Sequence, residues 1–235
     1  MKKKLTAVAL VVCMIAIMLV GASLAYFTDE TKAVENTMTL GSVEIVQYEK
    51  DKAGEAFVQD QPLFPMVDNR KENAPVVEEG FFNAAMANVI DKVITVENTG
   101  KSAAYVRTII AFETAKVYAE GSTTEYKDAH DEYIGVLGDF EYLNETITIE
   151  GVEYTLAVKV YGEALIPEAE TEPSLKQFFL APTAGNEVAD LFGETYTILA
   201  LSQAVQTEGF ADAETALNTA FGEITAESAA EWFAK

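Results

Sequence analysis

The chain has 235 residues, 49% of them hydrophobic and 10% aromatic, which suits one large β domain or two small ones and is too apolar for a disordered tail. Its formal charge of −22, from 38 acids against 16 bases, argues against nucleic acid or anionic lipid as a partner and is compatible with divalent cations or basic polymers. The one cysteine, Cys13, leaves no disulfide framework to be built.

Residues 1–25 read as a secretory leader and signal helix. Lys2, Lys3 and Lys4 form a basic tip, Ala7 to Val20 is an unbroken apolar run, and Ser23 and Ala25 stand three and one positions before Tyr26. Small residues at those two places favour cleavage after Ala25. The alternative is an uncleaved anchor, since Leu5 to Tyr26 is long enough to span a bilayer at about 1.5 Å per residue. Either way the basic tip stays inside, the folded part is exported, and any membrane attachment is through the uncleaved leader. Val11 and Val12 before Cys13 do not fit a lipoprotein site. Losing the three lysines with the leader takes the charge from −22 to about −25.

Residues 26–37 read as an extended arm, with Tyr26, Phe27, Thr28, Asp29, Val34 and Thr37 as the residues that would engage a sheet edge. The β domain spans 38–235. Its first strand alternates Met38, Leu40, Val43 and Ile45 with polar residues, and Gly41 marks a bulge or close approach. Residues 51–79, with Pro62, Pro65 and Pro75, read as a surface excursion with at most one short strand near Phe57 or Phe64.

Asn88 to Glu113 reads as a hairpin: Ile90, Ile94 and Val96, then Asn98-Thr99-Gly100-Lys101 with Gly100 at positive φ, then Val106, Ile110 and Phe112. Neither strand has a fully polar face, which places the pair mid-sandwich. Arg107 in this apolar setting calls for an acid, Glu97 or Glu113, because burying an unpaired guanidinium costs several kcal/mol. Residues 117–139 read as a loop or two short edge strands. Thr146 to Val160 reads as a half-exposed hairpin turning at Glu150-Gly151, and 166–182 as proline-punctuated turns with the apolar insert Phe178-Phe179-Leu180. Thr195 to Val205 is a strand. Asp212 caps a short helix stopped by Gly222, and Thr225 caps a second over Ala226 to Phe233, giving short helices near 212–234.

Three stretches carry a resemblance: G-x-x-x-A-Y-F-T-D-x-x-x-x-x-x-N-x-x-x-x-G-x-V-x-I from Gly21 to Ile45, V-x-N-T-G-x-x-x-A-Y-V-R from Val96 to Arg107, and V-Q-T-E-G-F-A-D-A-x-x-A-L-x-x-A-F-G from Val205 to Gly222. Together they resemble the TasA/camelysin family, secreted proteins of Gram-positive bacteria processed by a SipW-type signal peptidase. The resemblance implies an extracellular or cell-surface protein. In the TasA branch it implies a biofilm-matrix fibre subunit whose N-terminal segment completes a neighbour's sheet, so the partner is another copy of the chain. The expected fold is mainly β, a jelly-roll-like antiparallel β-sandwich with short C-terminal helices after the signal helix.

Camelysin-like relatives are classed as metalloproteases, and the residues bear on that directly. A zinc hydrolase needs several ligands and a base, commonly H-E-x-x-H, whereas this chain has one histidine, His130, beside Asp128 and Asp131. These are weak metal candidates, and His130 reads as a solvated loop residue. No G-x-S-x-G elbow, P-loop, C-x-x-C or dinucleotide fingerprint is present, so neither an enzyme nor a cofactor is expected. Calcium at an Asp/Glu loop suits an extracellular setting, but no D-x-D-x-D-G spacing supports it.

The arm remains. Its backbone groups need a strand partner, either a neighbouring subunit, which makes an open head-to-tail polymer, or its own sheet. The first alternative is a fibre subunit working by donor-strand complementation; the second is a monomeric binding or fibre-anchoring module.

Overall fold

The computed structural model describes residues 28–30, 43–119, 121–193 and 195–234. The leader residues Ser23 and Ala25, the arm residues Tyr26, Phe27, Val34 and Thr37, and Met38 to Gly41 of the expected first strand lie outside them. In chain order the elements are β1 (Thr28–Glu30), β2 (Ile45–Lys50), β3 (Val67–Asp68), β4 (Val77–Glu78), β5 (Phe81–Phe82), β6 (Met86–Ala87), β7 (Val89–Asn98), β8 (Ala104–Thr114), β9 (Lys116–Tyr118), β10 (Tyr126–Asp128), α1 (Ala129–Tyr133), β11 (Ile134–Gly138), β12 (Glu141–Ile149), β13 (Val152–Leu165), β14 (Leu175–Leu180), α2 (Glu187–Phe192), β15 (Ile198–Gln206), α3 (Ala213–Phe221) and α4 (Ala226–Phe233).

The chain is mainly β. One sheet has five strands in the order β1-β15-β8-β13-β12 and another has four in the order β11-β14-β7-β2, and every pairing in both is antiparallel. Val106, Ile110 and Phe112 of β8 share clusters with Ile94 and Val96 of β7 and Leu175 of β14, so the sheets face each other, an arrangement compatible with a β-sandwich. The period of two turns Tyr105, Ile109 and Ala111 of β8 the other way. There α3 and α4 lay down Leu217, Ala229 and Trp232, making a third layer. Both faces of β8 are therefore covered, and burying each large aliphatic side chain contributes about 1.5–3 kcal/mol.

This layering revises the expected central hairpin. β7 pairs with β2 and β14, whereas β8 pairs with β13 and β15, so the connection 99–103 crosses from one sheet to the other. Two strands that are apolar on both faces each need two covering layers, and crossing supplies them. The crossing is held by Asn98, fully buried, whose Oδ1 accepts from the Gly100 N–H at 3.0 Å and whose Nδ2 donates to the Ser102 and Leu165 carbonyls at 2.8 Å. Gly100 is not among the positive-φ residues; the side-chain amide does the turning instead.

Other expectations divide in the same way. The β12–β13 hairpin turns at Glu150 and Gly151, with φ of 51° and 89°, but Tyr154 to Ala157 of β13 are buried on both faces rather than half-exposed. The stretch read as proline-punctuated turns contains β14, an inner strand of the four-stranded sheet. The excursion runs on past 79 to β6, as two small ladders, β3–β6 and β4–β5, held against β14 through the Met66 N–H on the Leu180 carbonyl and Phe82 edge-on to Phe179. Residues 117–139 hold the short β9–β10 ladder, a single helical turn and β11. α3 and α4 fall where their caps place them: Asp212 accepts from the Thr215 N–H at 2.8 Å, Gly222 ends α3 at φ 91°, and Thr225 forms a capping box with Ser228. Among the described residues no helix is long and apolar enough to cross a membrane.

Candidate functional site

The site begins at one edge of the five-stranded sheet. β15 pairs along its whole length with β8, Ile198 opposite Phe112 and Gln206 opposite Ala104. Its other edge is met by β1 over three residues: Thr28 opposite Val205, Asp29 opposite Ala204 and Glu30 opposite Gln203. Farther along that strand, Gln47 of β2 reaches over from the other sheet. Its Nε2 donates to the Ala200 carbonyl at 3.3 Å and its Oε1 accepts from Ser202 Oγ at 2.7 Å. Of the expected arm residues, Thr28 and Asp29 are thus placed in their own chain's sheet.

Next to this edge, on the helix-covered face, lies Arg107, 1% exposed. Its Nε donates to Gln203 Oε1 at 2.7 Å, Nη1 to Asn218 Oδ1 at 2.9 Å and Nη2 to the Gly222 carbonyl at 3.1 Å. The guanidinium also lies over the Trp232 and Phe221 rings, 5.2 and 5.8 Å from their centroids. It therefore ties β8 to β15, to the carbonyl end of α3, where the helix dipole favours a cation, and to α4.

The expected acids are elsewhere. Glu97 lies on β7 in the other sheet and accepts from the Tyr48 hydroxyl at 2.7 Å. Glu113 shares a strand with Arg107 but stands six residues along it, roughly 20 Å at about 3.3 Å per residue. It accepts from the Thr197 N–H at 2.7 Å, and burial pushes its carboxyl up. Glu97 would have needed the β7–β8 hairpin, which does not form, and Glu113 is too far along the same strand. Gln203, Asn218 and Trp232 escaped sequence reasoning; the one local hint was Gln203, a polar residue in an apolar strand.

His130 is corrected more sharply. It is 1% exposed, on α1, stacked on Phe112 with ring centroids 4.6 Å apart. Its Nδ1 lies 2.8 Å from the Tyr196 hydroxyl and its Nε2 2.9 Å from that of Tyr142. Neutral imidazole suits this bracket, donating to one hydroxyl and accepting from the other, and burial lowers its pKa to about 4. Burial also raises Tyr142 and Tyr196 well above the usual phenol range. Asp128 accepts from Thr155 Oγ1 at 3.2 Å, and Asp131 is pushed up by burial and then by the Asp128 charge. Both imidazole nitrogens are thus engaged by hydroxyls, and among the described residues no group of three or more His, Cys, Asp or Glu is placed to hold a metal ion.

A groove of about 1000 Å³ opens between the excursion and the segment leading into β15, walled by Phe57, Leu63, Ile90, Phe178 and Phe192. Two charged residues line it, Asp60 and Lys92, and Lys92 is paired with Glu49 and lies over the Phe57 ring at 4.2 Å. Matched against protein-family models, curated proteins and solved structures, the chain finds no counterpart.

Proposed function

We propose that the protein is a secreted structural subunit of extracellular fibres, of the kind the TasA/camelysin resemblance implies, and that its arm can occupy the β15 edge of a neighbouring copy as it occupies its own. The observation that carries the reading is the β1–β15 pairing itself. A three-residue strand at the margin of a sheet forms the same hydrogen bonds whichever chain supplies it, so exchange is decided by effective concentration rather than by new contacts. Where each subunit gives its arm to one neighbour and receives from another, the contact propagates without closing. Chain crossings between the sheets (β7 to β8, β11 to β12, β13 to β14) support a jelly-roll-like finer topology, with β1 as its first strand. The leader, with SipW-type processing after Ala25, would free the arm outside a Gram-positive cell.

A cysteine pair tests this. Thr28 and Val205 are directly opposite, and such antiparallel pairs lie about 4.5–5.5 Å apart at Cα, within disulfide range. The mature chain has no other thiol once Cys13 leaves with the leader. Thr28→Cys with Val205→Cys, concentrated and then oxidised, should give a covalent ladder on a non-reducing gel and filaments by negative stain. Cross-linked monomer alone, without filaments, would reject exchange. It would favour the second reading, a monomeric surface-binding or fibre-anchoring module, which the intrachain position of β1 supports.

A further inference from the structure

β9 and β10 make a sheet of their own, three residues against three, with Tyr126 opposite Tyr118, Lys127 opposite Val117 and Asp128 opposite Lys116. One further backbone bond, from the Ala119 N–H to the Glu125 carbonyl at 2.9 Å, carries the ladder into its turn. A two-stranded ladder is marginal in water unless something else secures it. Across this one lies a pair of phenol rings. Tyr118 and Tyr126 are each 49% exposed, and their ring centroids stand 5.9 Å apart with the planes at 59°. Lys116, two residues before Tyr118 and so on the same face of β9, sets its ammonium 4.8 Å from the centre of the Tyr126 ring, which holds that ring towards β9.

Other tyrosines are placed differently. The Tyr48 hydroxyl is bonded to Glu97, those of Tyr142 and Tyr196 to His130 and that of Tyr161 to the Glu172 carbonyl, while Tyr154 is buried. Among the described residues, no other two tyrosine rings lie against one another. Cys13 is the only cysteine, so no disulfide within the chain can fasten the ladder. Two accessible phenols already side by side can be joined by oxidation instead, and exposed side chains change rotamer fast enough to bring their ring carbons together.

We propose that Tyr118 and Tyr126 form an oxidative cross-linking site, at which a peroxidase-type oxidant using hydrogen peroxide joins the two rings as a dityrosine. Each phenol gives up one electron and one proton. The two phenoxyl radicals couple through ring carbons ortho to oxygen, and each coupled carbon then passes its hydrogen to its own oxygen, restoring both phenols. One carbon–carbon bond forms, two hydrogen atoms leave, and they reduce one hydrogen peroxide to two waters. The bond closes residues 118–126 into a ring and ties β9 to β10 beside their turn. It does not rest on the fibre reading: export matters only for meeting an oxidant, which the experiment supplies.

Dilute mature chain treated with a haem peroxidase and hydrogen peroxide, then digested and mapped by mass spectrometry, tests it. A peptide spanning Tyr118 to Tyr126 and lighter by two hydrogens should form about tenfold faster than any other dityrosine. Its fractional rate should not depend on protein concentration, because rings held together react at high effective concentration. Tyr126→Phe should remove this product and most of the dityrosine fluorescence. Tyr142→Phe, at a tyrosine 45% exposed but without a tyrosine ring beside it, should leave both. After coupling, hydrogen exchange over 116–128 should slow. Dityrosine spread over other pairs at similar rates, coupling only between chains, undiminished yield in Tyr126→Phe, or unchanged exchange in the coupled ladder would each overturn the proposal.

Discussion

Arg107, on β8, and His130, packed against that strand, are both nearly inaccessible, yet the protein keeps one charged and the other neutral. Around Arg107 it gathers acceptors: an amide oxygen from β15, another from α3, the carbonyl of Gly222 that caps that helix, and two ring faces. Around His130 it places two phenol hydroxyls and a phenyl ring, which satisfy an imidazole without stabilising an imidazolium. Burial alone does not decide ionisation. The count and polarity of surrounding groups do, and the two sites accordingly differ in what they contribute: Arg107 fastens layers together and His130 fills a core.

The largest way to break the comparison is to remove the cation. Arg107→Met keeps most of the volume but leaves the Gln203 and Asn218 amide oxygens and the Gly222 carbonyl without their donor. Urea unfolding should show a loss of about 3–5 kcal/mol. Arg107→Lys should lose less, since it keeps the charge but not the planar fork. A loss below about 1 kcal/mol in the Met variant would mean that the helices are not fastened through this residue.

The next test is pH. His130 has a folded pKa of about 4 against 6.5 for the free side chain, so the unfolded chain binds the proton more readily. Its contribution is complete above pH 6.5 and is lost progressively as pH falls towards 4, by about 3 kcal/mol in all. Glu113 and Asp131, whose carboxyls are raised by burial, act with the opposite sign, binding protons more readily when folded. The readable quantity is therefore the difference between the native protein and His130→Gln, which can still bond to the two tyrosines. That difference should shrink as pH falls from 6.5 to 4, and a difference constant with pH would show that His130 does not titrate as its surroundings dictate.

The contrast also explains what was legible beforehand. The caps of α3 and α4 were readable because their hydrogen bonds span three residues, Asp212 to Thr215 and Thr225 to Ser228. Arg107 was recognisable as a structural residue from its apolar strand, but its partners come from 96, 111 and 115 positions away and no local pattern points to them. His130 misled because its sequence neighbours are acids whereas its contacts, Tyr142 and Tyr196, are 12 and 66 residues off. The β7–β8 pairing failed for a related reason. Alternation tells which faces are apolar and not which strand lies alongside, so two doubly apolar strands joined by five residues fit a hairpin or a crossing equally well. β14 was hidden by Pro173 and Pro182, which bracket the strand rather than interrupt it.

The smallest test sharpens the comparison at its periphery. Thr225 accepts from the Ser228 N–H while Ser228 Oγ accepts from the Thr225 N–H, so Thr225→Ala leaves the first turn of α4 without its cap. Such losses cost about 1 kcal/mol. Because α4 carries Trp232, one of the ring faces over Arg107, the fraying should weaken the arginine side of the molecule and leave the histidine side alone. Hydrogen exchange would show faster opening in α4 and at Asn218 and Gly222, with the pH dependence attributed to His130 unchanged. A matching shift in that pH dependence would mean the two sites share one cooperative unit, and the contrast between fastening and filling would have no energetic counterpart.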